Sequence, residues 1–313
     1  MPSRCTCLRQ PCTVTGHRLV LPEDALRKPL LLPLIALVLS LAALPAAAQI
    51  TFELLRPPAI EVRLKASARS NEKRLQTMKQ LFAESGCTGE RFTEQAVPHV
   101  KEPNLVCVLP GTGDASILVG AHFDSVDAGE GVVDNWSGAA LLPSLFETLS
   151  RRPHRHTYVF IAFSGEEKGL VGSEYYAKKL TKEEKLRIHA MINMDTLGLT
   201  PTKIWVNHSD KELVRVATVV ANALHAPLAG VNVERVGSTD SESFLSRKIP
   251  SIAFHSITQE TWPILHSPRD KFTSISMDDY YETYRLITGY LSYLDDYLSR
   301  PKEERAFSGK KKK

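Results

Sequence analysis

The chain has 313 residues, 43% of them hydrophobic and 24% charged, a globular mixture long enough for one large α/β domain or two small ones. The formal net charge of +4 comes from the ends: without residues 1–48 and the four terminal lysines, 30 Lys/Arg face 33 Asp/Glu. That balance gives no support for a nucleic-acid-binding surface, and a core of this size needs no disulfide framework.

At the amino end, Arg27-Lys28, the apolar run 30–41 and Ala46-Ala47-Ala48 follow the pattern of a secretory signal peptide cleaved after Ala48. A membrane span needs about 20 apolar residues, so an uncleaved anchor is the weaker alternative and the only membrane contact expected. The stretch before Arg27 is long for a leader; a start codon placed too far upstream would explain it. Export predicts a secreted or periplasmic protein. Cys5, Cys7 and Cys12 would leave with the leader, and Cys87 and Cys107 remain as a pair. They are read either as a structural disulfide or as two free thiols. Residues 49–305 then form the folded domain, and the basic tail 306–313 is expected to be solvated and disordered.

Residues 49–65, with Pro57-Pro58, are expected to be an extended arm. Ser70 predicts a helix cap, followed by a helix to about Glu84 with Leu75, Met78, Leu81 and Phe82 at helical spacing. The apolar runs 104–109 and 117–121, separated by Pro110-Gly111-Thr112-Gly113-Asp114, predict neighbouring strands. Residues 137–149 predict a helix with a kink or late start at Pro143. The apolar run 157–163 predicts a central strand ending at Ser164-Gly165-Glu166-Glu167. A helix carrying Tyr175 and Tyr176 follows, and then one opened by a Thr181/Glu184 capping box. Strands are expected at 190–194, 203–206 and 249–254, and helices at 211–224 and 277–298. Ser238-Thr239-Asp240-Ser241 is expected to cap a short helix. This alternation argues for a single α/β domain with a largely parallel mixed sheet and helices on both faces, whose site lies at the carboxyl ends of the strands.

The polar residues at those ends are His122, Asp124, Asp134, Glu166, Glu167 and Asp195, with Asp240 and His266 in loops. Singly, each has an ordinary reading: a strand histidine, a turn, a helix start, a cap, a loop residue. Together, two histidines and several carboxylates suit a site for divalent cations. Two cations about 3.5–4 Å apart need a shared anionic ligand, which a carboxylate supplies with its two oxygens. In an extended Glu166-Glu167 segment adjacent side chains point apart, so one could ligate while the other took a proton from bound water.

Gly-Ala-His-Phe-Asp at 120–124, Asp-Asn-Trp-Ser-Gly-Ala-Ala at 134–140, Phe-Ser-Gly-Glu-Glu-Lys-Gly-Leu-Val-Gly-Ser at 163–173, Asn-Met-Asp at 193–195 and Leu-His-Ser-Pro-Arg-Asp at 265–270 occur in this order. With these blocks the chain resembles the secreted co-catalytic dizinc aminopeptidases of the bacterial leucyl aminopeptidase and aminopeptidase Y type, from about residue 100 to 290. The resemblance implies a zinc exopeptidase fold, two zinc ions, and peptide or protein N-termini as substrate. It implies that His122 and Asp195 complete one zinc and Glu167 and His266 the other, with Asp134 bridging and Glu166 as general base. It also implies that Asp124 orients His122 and that the Asp134–Asn135 peptide is cis. The chain departs from the family in having Leu265 where an aromatic often precedes the last histidine, and Ser241 where histidine usually follows Asp240. Asp240 is read as a supporting residue or a helix cap, and His255 and Trp262 as pocket lining. The same fold also serves glutaminyl cyclases, carboxypeptidases or dipeptidases, and non-catalytic binding domains; these are the competing readings.

Overall fold

In the computed structural model, which describes residues 52–232 and 237–305, Pro57 and Pro58 open a helix instead of extending an arm. Proline has no N–H to lose in a first helical turn and its φ is already helical, so helix α1 spans Pro57–Lys65. Helix α2, Asn71–Glu84, starts as expected, with Ser70 Oγ accepting from the Lys73 amide. A short strand that the sequence pattern did not reveal, β1 (Phe92–Gln95), is half-exposed and lacks an apolar run. The expected leader and the tail 306–313 lie outside the described residues. Among the described residues no helix is long and apolar enough to cross a membrane.

Strand β2 is Asn104–Leu109 and β3 is Ser116–His122. A π-type turn at Val132–Trp136 runs directly into α3, Ser137–Leu149. The expected late start at Pro143 is not seen: the helix begins at Ser137 and includes the proline. Strand β4 is Thr157–Phe163, α4 Val171–Lys179, and α5 Lys182–Arg187 with the predicted Thr181/Glu184 capping box. Then come β5 (Ile188–Met194), β6 (Lys203–Ile204), α6 (Lys211–Leu224), β7 (Ala229–Gly230), α7 (Glu242–Leu245), β8 (Ser251–His255) and α8 (Met277–Leu298). β6 is shorter than expected, since Val206 has already entered a 3-10 turn.

The eight strands form one sheet in the order β1-β2-β4-β3-β5-β8-β6-β7. β2 and β3 are therefore not neighbours: β4 lies between them, antiparallel to β2 and parallel to β3. The linker at 110–115 reverses the chain and leaves room for β4 between the two strands. β4, β3, β5 and β8 are mutually parallel, so their carboxyl ends share one edge of the sheet.

Alternation along these strands feeds two cores. Ile117, Val119, Ala121, Phe160, Ala162, Ala190 and Ile192 pack on one face with α1, α2, α3, α6 and α8. Leu118, Ile161, Phe163 and Met191 pack on the other with Ala177 of α4 and Phe244 of α7. Helices thus cover both faces, as the apolar strands require. Cys87 and Cys107 are joined by a disulfide that pins the segment before β1 to β2.

Candidate active site

Three strand ends, the turn at Val132–Trp136 and one loop deliver the predicted side chains to one place. His122 is the last residue of β3, and Glu166 and Glu167 follow β4. Asp195 follows β5, its amide bonded to Phe254 O of β8, and His266 sits in the connection after β8. The two glutamates are not in an extended segment, as expected, but in a single 3-10 turn, Glu166–Lys168. Gly165 opens that turn at φ +69°, where a Cβ would lie 2.7 Å from Val100 Cγ2. The Asp134–Asn135 peptide is cis, as the resemblance implied.

The distances define a shared space. His122 Nε2 lies 3.2 Å from Asp134 Oδ1, 3.7 Å from Asp195 Oδ1 and 3.9 Å from Glu166 Oε2. His266 Nε2 lies 3.2 Å from Asp134 Oδ2 and 3.0 Å from Glu167 Oε2. The two oxygens of Asp134 therefore face two different imidazoles. Ligand atoms about 2.0–2.1 Å from a common tetrahedral centre lie about 3.3–3.4 Å apart, and the observed separations bracket that edge.

The donor chemistry also fits cations. His122 Nδ1 faces the Asp124 main-chain oxygen at 3.2 Å, so its N–H donates there and Nε2 is the nitrogen turned to the carboxylates. Glu167 Oε1 is buried without a hydrogen-bond partner, a costly state for an anion unless a cation stands beside it. Without such charge the cluster retains protons. Burial, then Asp134, pushes Glu167 up to about 7. Burial, together with nearby carboxylates, pushes Glu166 up to about 10. The hydrogen bond to Asp134 raises His266 to about 9. Burial opposes protonation of His122, but the carboxylates around it win and hold it well above the usual histidine value.

Asp124 joins the two halves of the site, though not only by facing the imidazole as expected. Its main-chain oxygen takes the His122 N–H, while its carboxylate accepts the amides of Glu166 (3.2 Å) and Glu167 (3.3 Å). Asp195 is held by Thr239, whose hydroxyl donates at 2.6 Å, and by Thr196 at 3.0 Å. Asn135 ties the Asp134 turn to the end of β5 through Met194 O and the Thr196 amide, and accepts the Gly138 amide in the first turn of α3.

Several residues that act here were not singled out in the sequence. Asp270 accepts the amides of Val133 (2.7 Å) and Asp134 (3.2 Å), aiming the middle carboxylate from behind. Its signal was its place four residues after His266 in the last block. Arg74 is fully buried on α2 and bonds to loop carbonyls beside His122 and Asp134. Its signal was a charge at helical spacing from Met78 and Leu81. Asp240 is not a helix cap: α7 has no side-chain cap, and Asp240 is fully buried with both oxygens unpartnered. Burial pushes it up to about 7.

Beside the cluster lies a cavity of about 400 Å³, walled by Leu170, Phe254, Ile257, Trp262, Leu265 and His255. Trp262 stands at its rim, 42% exposed. His255 lines the wall but its nitrogens are engaged: Nε2 with Val231 O at 3.2 Å, and Nδ1 accepting the Ile257 amide at 3.1 Å. Burial lowers it to about 4, so the ring is neutral.

The chain is similar to several known proteins. Leupeptin-inactivating enzyme 1 of Streptomyces exfoliatus is 31% identical over 178 residues, covering 56% of this chain and 37% of that protein. Aminopeptidase YwaD of Bacillus subtilis is 28% identical over 197 residues, covering 61% of this chain and 41% of that protein. The chain thus spans well under half the length of these two relatives. The fold matches LapB from Legionella pneumophila with a TM-score of 0.67 at 18% identity, over 77% of this chain and 72% of that one. The profile of peptidase family M28 matches residues 104–291, which include every residue of the cluster, and the chain belongs to that family.

Proposed function

We propose that this protein is a zinc-dependent aminopeptidase, exported from the cytoplasm, that removes residues from free peptide N-termini. The observation that carries the reading is Asp134, whose two oxygens each face a different histidine at 3.2 Å. His122 and Asp195 would hold one cation, His266 and Glu167 the other, and Asp134 both. Such a pair supplies Lewis acidity to the scissile carbonyl and lowers the pKa of water to about 7.

The chain's own groups do the rest. Glu166, adjoining the cluster but outside both ligand sets, takes the proton of the attacking water and returns it to the leaving amine. Asp124 holds the Glu166 and Glu167 amides, fixing where that carboxylate can reach. The apolar wall of Leu170, Phe254, Ile257 and Leu265 receives the first side chain and keeps bulk water from the reacting bond. The names of the relatives, an aminopeptidase among them, support the same chemistry. Export is supported by the pattern of residues 1–48 and by a disulfide, which suits an oxidising compartment.

The test is a panel of peptides with free and acetylated amino ends, incubated with the protein lacking residues 1–48, with and without chelator. Free peptides are expected to lose one residue at a time, acetylated ones to survive, and chelator to stop the reaction. Glu166→Gln is expected to lower kcat by about 10²–10⁴-fold. Internal cleavage of blocked peptides contradicts exopeptidase action, and undiminished activity in Glu166→Gln contradicts the base. Loss of ammonia from N-terminal glutamine without shortening would identify a cyclase instead.

A further inference from the structure

We propose that Asn71 and Arg74, on the first turn of α2, are positioning residues that clamp the 123–133 loop and so preset the spacing between His122 and Asp134 before any cation binds. The inference rests on the two-cation reading above. Both residues precede residue 104, where the family match begins.

The loop needs such a clamp. It joins the two side chains that must meet, and it carries glycines at 129 and 131 with φ of +83° and +59°. Its main-chain bonds to the rest of the fold lie at its two ends: Phe123 N to Phe163 O at 2.9 Å, then Glu130 N to Asp270 O at 2.7 Å and Trp136 N to Gly131 O at 3.1 Å. The carbonyls of Phe123, Glu130 and Gly131 face α2, and Gly131 O is shared with the Trp136 amide.

Arg74 answers all three with one planar group. Nη1 donates to Phe123 O at 3.0 Å, next to His122. Nη2 donates to Glu130 O at 2.7 Å and Gly131 O at 2.8 Å, three residues before Asp134. Nε and Nη2 also reach Ala68 O at 2.7 Å and Ser67 Oγ at 3.3 Å, anchoring the group to the α1–α2 connection. The guanidinium lies 5.4 Å from the Trp136 ring, two residues beyond Asp134. At Gly131 a Cβ would come within 2.5 Å of Nη2, so the loop has no room to drift inward. Asn71 adds a second hold: its Oδ1 accepts the Ser125 amide at 3.0 Å and its Nδ2 donates to Ser125 O at 3.3 Å, the pairing a neighbouring strand would make.

A rigid fork can span both ends of the loop, while a lysine ammonium, with one nitrogen, cannot bond Phe123 O and the Glu130–Gly131 pair in the same geometry. The test uses the chain lacking residues 1–48, as wild type, Asn71→Ala and Arg74→Lys, each stripped of metal and titrated with zinc against a competing chelator. Wild type is expected to take two equivalents. Asn71→Ala, half-buried and so tolerant of truncation, is expected to fold and to hold zinc about 10-fold or more weakly, the usual scale for lost supporting contacts. Excess zinc is expected to restore its kcat with KM unchanged. Arg74→Lys is expected to lose more affinity; should it not fold, Asn71→Ala decides alone. A purely structural role would lower the melting point of metal-free and zinc-loaded protein alike and leave the chelator competition untouched, and that result in Asn71→Ala overturns the clamp. Wild type that binds no zinc overturns the function proposal and the clamp with it.

Discussion

At the scale of single residues, the site is defined by which atom faces which. The N–H of His122 is spent on a main-chain oxygen, so the nitrogen left over meets only carboxylates. In the cation-free protein those carboxylates hold a proton on the ring, which makes cation uptake a proton exchange. Glu167 at about 7 and His266 at about 9 are both raised in the cation-free protein, Glu167 by burial and then Asp134, His266 by its bond to Asp134. Ligands bind in their deprotonated forms. His122, which the surrounding carboxylates also hold protonated, gives up its proton as well, so uptake at pH 7 releases on the order of two to three protons, and apparent affinity rises with pH until all three ligands have lost theirs. Calorimetry in two buffers of different ionisation enthalpy reads this directly; equal heats in both would refute it. His122, Asp134, Glu166, Glu167, Asp195 and His266 stood out in the sequence because each is a ligand type at a strand end or in an ordered block. Arg74, Asn71 and Asp270 did not, because their work is done on main-chain groups, which a sequence does not display.

At the scale of elements, apolar runs and caps were legible and partners were not. The run at 157–163 and the helices at 211–224 and 277–298 stand where periodicity put them, since each buries an apolar face or both faces. The order of strands was misjudged because nothing in the 110–115 linker marks the gap that β4 fills, and α1 was missed because paired prolines suit a helix start as well as an extended arm. One long-range tie between elements carries a pH dependence. Asp295 of α8 accepts the amides of Arg155 and His156 and the His156 ring at 2.9 Å, locking the start of β4. Burial works to raise Asp295, but the His156 ring and those amides outweigh it and hold the carboxyl below its usual value. A depressed carboxylate stabilises the fold fully above its unfolded value of about 3.9 and loses that contribution as pH falls through the folded value. Unfolding by urea is expected to show this as a drop in stability below about pH 4 that is smaller in Asp295→Ala, itself about 1–3 kcal/mol less stable at pH 7. Parallel acid limbs for the two proteins would dismiss the assignment.

At the scale of the whole molecule, one covalent link and one edge of the sheet set the behaviour. The disulfide between Cys87 and Cys107 closes a loop of 20 residues, and a cross-link of that span is worth about 3 kcal/mol through the unfolded chain. Reduction, or Cys87→Ser with Cys107→Ser, is expected to lower the unfolding free energy by about that amount, read from the shifted denaturant midpoint and its slope, while leaving kcat per folded molecule unchanged, because the link joins β2 to the segment before β1 and touches none of the cluster. A fall in kcat without a fall in stability would contradict it. The parallel arrangement of β4, β3, β5 and β8 has a wider consequence. No short fragment of the chain owns enough ligands to grip a cation, since each strand end contributes only one or two. Occupancy is then a readout of tertiary assembly, and the ions become thermodynamic partners of the native state: at a thousandfold excess over Kd, one bound cation adds about 4 kcal/mol to folding. For this chain, acquiring metal and becoming hard to unfold would be a single event.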